Sequence, residues 1–146
     1  MAANITFALL AALFAHASKT QPTVDELKAK ISSTKIDDRP PLCLQVAEMQ
    51  LAAAKRFYGM GDSRQAKAAL DDVTSFSGQA RDYSIQSHKR EKQSEIAIRK
   101  MIRKLTDLKH LVSHDEEADV QSTMDQLERD RDDLLSAMFP GAKGRK

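Results

Sequence analysis

This chain of 146 residues has one cysteine, no tryptophan and only 5% aromatic residues. A single cysteine excludes an intrachain disulfide, so packing alone must hold the fold unless Cys43 pairs with another molecule. Because Leu42 and Leu44 flank this cysteine, we favour a buried thiol over an intermolecular bridge. Few aromatic residues together with 30% charged residues are typical of long solvated helices rather than of a thick globular core.

An excess of charge of one sign is also missing, because 23 basic and 21 acidic residues leave a formal net charge of only +2. This balance provides no general attraction to nucleic acid or to a membrane surface, and we predict no nucleic-acid partner. The five glycines form no phosphate-binding loop, and no serine, histidine and aspartate stand in a recognisable nucleophile motif. We therefore predict a protein that is not an enzyme and has no cofactor.

No hydrophobic run reaches the roughly 20 apolar residues that a helix needs to cross a bilayer. The strongest run, Ile5 to Leu13, is followed by Ala15 and Ala17. A short apolar core before small residues two apart is typical of a secretory signal peptide, although no Lys or Arg precedes the core. We predict a signal peptide over residues 1–17, and a secreted or periplasmic protein without stable membrane insertion after cleavage. The alternative for this segment is a buried amphipathic helix.

The spacing of apolar residues predicts an all-α protein without strands. We predict four helices, at about 24–34, 41–58, 63–112 and 118–139, and a basic disordered tail at 140–146. The third helix would be about 75 Å long, because its seam keeps one 3–4 spacing throughout. Gly78 is the position at which this helix could kink or break.

Opposite charges favour one helix pairing. Residues 88–112 contain eight basic and three acidic residues, whereas residues 113–139 contain nine acidic and two basic ones. Two antiparallel helices joined by a short turn would place these net charges of +5 and −7 side by side. We predict an elongated antiparallel bundle of about four helices, in which the long helix pairs with a different helix at each end.

The stretch from Ala54 to Leu70 has the pattern of a helix-turn-helix pair. A small residue at Ala54, an aromatic residue at Phe57 and Gly61 before the next helix fall at matching positions, and Ala66 and Leu70 follow. The stretch resembles one tetratricopeptide repeat. The resemblance implies a helical hairpin with a tendency to bind peptides. The chain departs from the family because it has no second copy, lacks the tryptophan and continues its second helix beyond a repeat.

Two further sets of residues are candidate sites. His110 and His114 are four apart and would share one face if the helix persists, so they are candidate ligands of a transition metal. The seam of the long helix turns polar near its middle, where we find no partner within the chain. We therefore expect a binding surface for another protein at this place, formed by Tyr83, Ile85, Ser87 and Glu91.

These observations predict an exported helical protein that binds other proteins or a second copy of itself, as an interaction module or scaffold. The alternative is a periplasmic chaperone or stress-type protein that holds unfolded clients. Metal binding at His110 and His114 is a third possibility.

Overall fold

The computed structural model describes residues 20–141, and this part of the chain is all-α, as predicted, with no strand. Outside the described residues lie the predicted signal peptide with Ala15 and Ala17, and residues 142–146 of the predicted tail. The described residues form five α-helices: α1 (Val24–Ser33), α2 (Arg39–Gly59), α3 (Ser63–Ser87), α4 (Glu91–Lys109) and α5 (His114–Met138). A 3-10 turn at Ile36–Asp38 precedes α2.

Local signals in the sequence set most helix starts. Thr23 and Glu26 form a capping box at the start of α1, in which each side chain accepts a hydrogen bond from the other residue's backbone N–H. Prolines occupy the first turn of α2, where a missing N–H costs nothing. Asp62 caps α3 after Gly61, whose φ of +75° makes the turn possible.

The predicted single helix over 63–112 is wrong, because the chain reverses between α3 and α4. His88 and Arg90 adopt left-handed backbone conformations, with φ of 53° and 65°. Gly78, the expected weak point, lies inside α3. The polar middle of the seam belongs to the reversal: the Ser84 hydroxyl on α3 hydrogen-bonds the Ser94 hydroxyl on α4 at 2.8 Å, and both residues are buried. The 3–4 spacing continues through both helices because both turn the same apolar stripe toward one core.

Two helical hairpins, α2–α3 and α4–α5, pack side by side, and α1 lies against the first. This arrangement brings α2 beside α4 and α3 beside α5. The elongated arrangement with one long helix paired at each end is therefore corrected to a bundle in which the chain folds back. The buried Leu27 and Ile31 pack α1 into the core, and Lys28 on α1 also donates to Asp72 on α3 at 2.9 Å.

Both hairpins contribute to the apolar core, and Leu70 and Val73 on α3 are among its large fully buried side chains. Ala47 and Ala54 on α2 and Ala66 on α3 are fully buried, which is consistent with a close approach of these two helices. The larger fully buried side chains include Ile98, Met101, Leu105, Leu127 and Leu134 on α4 and α5. No described helix is both long enough and apolar enough to cross a membrane.

The ion pair between α4 and α5 differs from the charge pattern of the sequence. These helices do pack together, yet Glu95 on the basic helix α4 accepts from Arg131 on the acidic helix α5 at 2.8 Å. In this pair the acidic residue lies on the basic helix and the basic residue lies on the acidic helix. Among residues 20–141, no basic side chain of α4 forms an ion pair with an acidic side chain of α5. The complementary charges of the two helices therefore act only over longer distances.

Candidate functional site

The predicted binding surface in the middle of the seam is partly covered by the chain itself. Tyr83, Ile85, Ser87 and Glu91 are all half-buried, and they lie at or near the reversal between α3 and α4. The guanidinium of Arg39 stacks over the Tyr83 ring, 5.1 Å from its centre. The expectation that this region has no partner within the chain is therefore wrong.

The 3-10 turn before α2 supplies that partner. Lys89 donates to the Asp37 carboxylate at 2.6 Å. Arg90 donates to the Asp37 carbonyl and to the Asp38 carboxylate, both at 2.9 Å. Three polar contacts thus tie the reversal to the segment that joins α1 and α2, and this end of the bundle is closed.

The two histidines do not share a helix face. α4 ends at Lys109 with His110 as its cap, and α5 begins at His114, so a turn separates them. His114 is almost fully exposed, with its Nδ1 atom 3.8 Å from the nearest Glu117 oxygen. No group of three or more His, Cys, Asp or Glu side chains in the described residues is arranged to hold a metal ion. The geometric argument for chelation, which needed a continuous helix, no longer applies.

A groove between α2 and α4 is the best-formed candidate site. It has a cavity volume of about 240 Å³. The buried side chains of Leu51 and Leu108 line it from opposite helices, and the exposed Ala52 lies beside them. Parallel neighbours α2 and α4 are in less extensive contact than α2 and α3, so the bundle is more open here. The groove therefore offers an apolar surface that is accessible from outside.

Charged side chains of both signs surround this apolar surface. Glu48 and Lys55 come from α2, and Lys104 and Asp107 come from α4; all four are exposed. None of the four has a hydrogen-bond or ion-pair partner among residues 20–141. Each charge is thus free to pair with a bound molecule, and the alternation of signs on both helices would favour a ligand with both signs.

A second cavity, of about 200 Å³, lies between α3 and α5 and is polar. Lys67, Asp71, Asp119 and Arg129 line it, so its charges partly compensate each other. Tyr58 has a buried hydroxyl without a hydrogen-bond partner in the described residues. Burial, and then the negative charges of nearby carboxylates, raise the pKa of Tyr58 to about 12. Tyr58 is not part of the lining of this cavity, and its raised pKa keeps the phenol neutral at ordinary pH.

Two exposed apolar side chains lie at the end of the bundle that holds the Gly61 hairpin. Met60 precedes Gly61, and Leu111 lies in the turn between α4 and α5. The Ser63 hydroxyl donates to Glu116, which joins the two turns. This end therefore presents apolar side chains to solvent. The opposite end, where ion pairs hold the reversal, also exposes one large apolar side chain, Phe139 after α5.

The sequence contained a signal for the groove between α2 and α4. α2 has two apolar stripes, and a helix with two apolar faces is normally sandwiched between neighbours. Leu51 belongs to the stripe that faces the groove, where the contact with α4 is incomplete. The pattern identifies the second face, but the degree to which a neighbour covers it depends on tertiary packing.

Comparisons with protein-family models, with curated proteins and with solved structures find no match for this chain. The resemblance of Ala54 to Leu70 to a tetratricopeptide repeat stays a prediction.

Proposed function

We propose that this chain is a non-catalytic protein-interaction module that binds a helix or extended segment of a partner protein in the groove between α2 and α4. The observation that carries this proposal is the size and chemistry of the groove. Its volume of about 240 Å³ lies below the roughly 300–1,000 Å³ of small-molecule sites, and its lining combines leucine side chains with free charges.

A groove of this size and lining can hold one apolar side chain of a partner protein. One leucine or aromatic side chain of the partner would pack against Leu51 and Leu108, and this buried contact would provide most of the binding free energy. Charges on the rim would then orient the partner and exclude segments of the wrong charge pattern. Binding is the whole of the proposed activity.

A photocrosslinking amino acid at Ala52 tests the proposal directly. Ala52 is exposed beside the groove, and Ala68 is an exposed alanine on α3, where the same substitution serves as the matched control. In cells that express the full chain, we expect the Ala52 position to capture one dominant protein and the Ala68 position to capture it at least about tenfold less. Adding Leu51→Ala to the Ala52 variant should reduce the capture.

Two other results would contradict the proposal. Equal capture at both positions would show that the groove is not the binding surface. Capture of many unfolded exported proteins would replace a dedicated interaction module with a chaperone of broad client range. Suppression of aggregation of an unrelated unfolded protein by the purified chain would support that alternative.

We also propose that the chain acts after export. The support is the pattern of residues 1–17, with its apolar core before Ala15 and Ala17. Mass spectrometry of the chain isolated from cells should give a mature form that begins at Ser18. A chain that retains residues 1–17 would contradict cleavage.

A further inference from the structure

A charged face formed by α4 and α5 carries free positive and negative side chains in two parallel stripes. On α4, the residues opposite the buried Ile98 and Met101 are basic, and this basic stripe consists of Lys92, Arg99 and Arg103. On α5, an acidic stripe consists of Asp125, Glu128 and Asp132. Spacings of three, four and seven residues place the members of each stripe on one side of their helix.

The two stripes are almost unused within the chain. Arg99 approaches Glu95 only to 3.6 Å, and Asp125 accepts a hydrogen bond from Gln121. The other four members have no ion pair or hydrogen bond among residues 20–141. A face with one free basic and one free acidic stripe is complementary to a second copy of itself.

We propose that a second copy of this chain binds to the face formed by α4 and α5, through a twofold axis that runs parallel to the two helices and midway between them. Such a rotation places α4 of one copy on α5 of the other, and the reverse contact follows from symmetry. A twofold axis in the same plane but at right angles to the helices would place α4 on α4 and bring like charges together. The charge pattern therefore selects one orientation.

The contacts between α4 and α5 determine which residues would meet. Glu95 lies level with Arg131, and Lys109 lies level with Gln121, where the hydrogen bonds are 2.8 and 2.9 Å. Rotation about an axis parallel to the helices does not shift residues along them. Arg99 of one copy therefore comes level with the α5 turn of the second copy that contains Glu128, and Arg103 comes level with the turn that contains Asp125.

The available area is sufficient for a weak specific dimer. α4 has 19 residues and α5 has 25, so the two helices run side by side over about 28 Å. With two helix widths, this face covers about 550 Å² on each copy, or about 1,100 Å² in total, which clears the roughly 1,000 Å² expected of a biological interface and falls in the size range of weak ones. Because one exposed ion pair contributes little, the dimer depends on repeated pairs and should weaken as salt screens them.

Charge reversal in two complementary variants tests this dimer by analytical ultracentrifugation of the mature chain. Arg99→Glu and Glu128→Lys should each raise the dissociation constant of the dimer at least about tenfold, because each places like charges together at two symmetric positions. A mixture of the two variants should restore dimers to within about threefold of the original constant, since every reversed charge then meets its opposite. Arg64→Glu, an exposed change on α3, is the control and should leave the constant unchanged.

The result that would overturn the proposal is a chain that stays monomeric at its highest soluble concentration in low salt. A dimer whose dissociation constant does not respond to either reversal would place the interface elsewhere and would also overturn it. Arg103→Glu with Asp125→Lys repeats the design about one turn away if either first variant fails to fold. Capture of another protein at the groove between α2 and α4 is a separate result, because the groove lies on the other flank of α4.

Discussion

Asp130 has an environment that its neighbours in the sequence do not predict. It lies on α5 among exposed acidic residues, yet it is completely buried. One carboxylate oxygen, Oδ1, accepts hydrogen bonds from Arg81 at 2.6 Å and from Gln126 at 3.1 Å, whereas Oδ2 has no partner in the described residues. Burial outweighs these favourable contacts and raises the pKa of the Asp130 carboxyl above its usual value.

The free energy of unfolding of the Asp130→Asn variant should increase, relative to that of the original chain, as the pH rises. A carboxyl whose pKa is higher in the folded chain than in the unfolded chain binds its proton more tightly when folded, so its ionisation destabilises the fold. This loss begins near the unfolded pKa and is complete above the folded pKa, and the neutral amide of the variant would not suffer it. Urea unfolding at a series of pH values, from acid to neutral, measures the difference in free energy of unfolding.

Arg81 would keep carboxylate partners in this variant. Asp82 at 2.8 Å and Asp133 at 3.3 Å both contact its guanidinium, so Asp130→Asn does not leave a buried cation unpaired. Asp25→Asn, at an exposed carboxylate of α1, controls for the change in net charge. A stability difference for Asp130→Asn that does not vary with pH would contradict the role of burial.

At the scale of elements, the reversal between α3 and α4 is the feature that departs from the sequence pattern. Apolar spacing alone predicts one helix through His88, because the stripe continues on both sides in register. The chain ends α3 instead, with the His88 and Lys89 N–H groups donating to the last carbonyls of that helix. Two left-handed residues that are not glycine show that contacts elsewhere stabilise this turn.

His88→Gly should therefore stabilise the chain by about 0.5–1 kcal/mol. Glycine adopts a positive φ without the steric cost that a Cβ atom imposes, and the His88 side chain is exposed with no described contact. Thermal or urea unfolding measures the change. His110→Gly is the matched control, because His110 also caps a helix and is exposed. Its φ is −75°, so glycine relieves no steric cost there and only adds entropy to the unfolded chain. A loss of stability in both variants would show that the turn carries no conformational penalty at His88.

At the scale of the whole molecule, Cys43 reports how cooperatively the bundle opens. Its side chain is completely buried on α2, and burial raises the pKa of the thiol to about 11. Few thiolates exist at neutral pH, and none is reachable in the native fold. Modification by a thiol reagent therefore requires the core around α2 to open.

The labelling rate of Cys43 should track global unfolding. In the native chain it should be at least about 1,000-fold slower than in the urea-unfolded chain, since the fully folded state dominates a stable small domain. Ala68→Cys on a Cys43→Ala background places an exposed thiol on α3 and should react at nearly the unfolded rate. Rapid labelling of native Cys43 would instead reveal local opening of α2.

Local sequence patterns were enough to predict that the described chain is helical and where most helices begin. Those features depend on local chemistry: apolar residues at 3–4 spacing, the Thr23 capping box, prolines at the start of α2 and the turn at Gly61. The second apolar stripe of α2 also indicated a face that a neighbour would cover only if packing allowed it. The sequence did not show which helices pack against each other.

Tertiary structure decided the reversal at His88, the burial of Asp130 and the groove between α2 and α4. The reversal lets α3 and α4 bury apolar side chains in one core. The spacing of apolar residues along the chain does not indicate this gain in buried surface. Ion pairs with the 3-10 turn then hold it in place. The groove arises because α2 packs more extensively on α3 than on α4, so its depth depends on side chains from helices that are far apart in sequence.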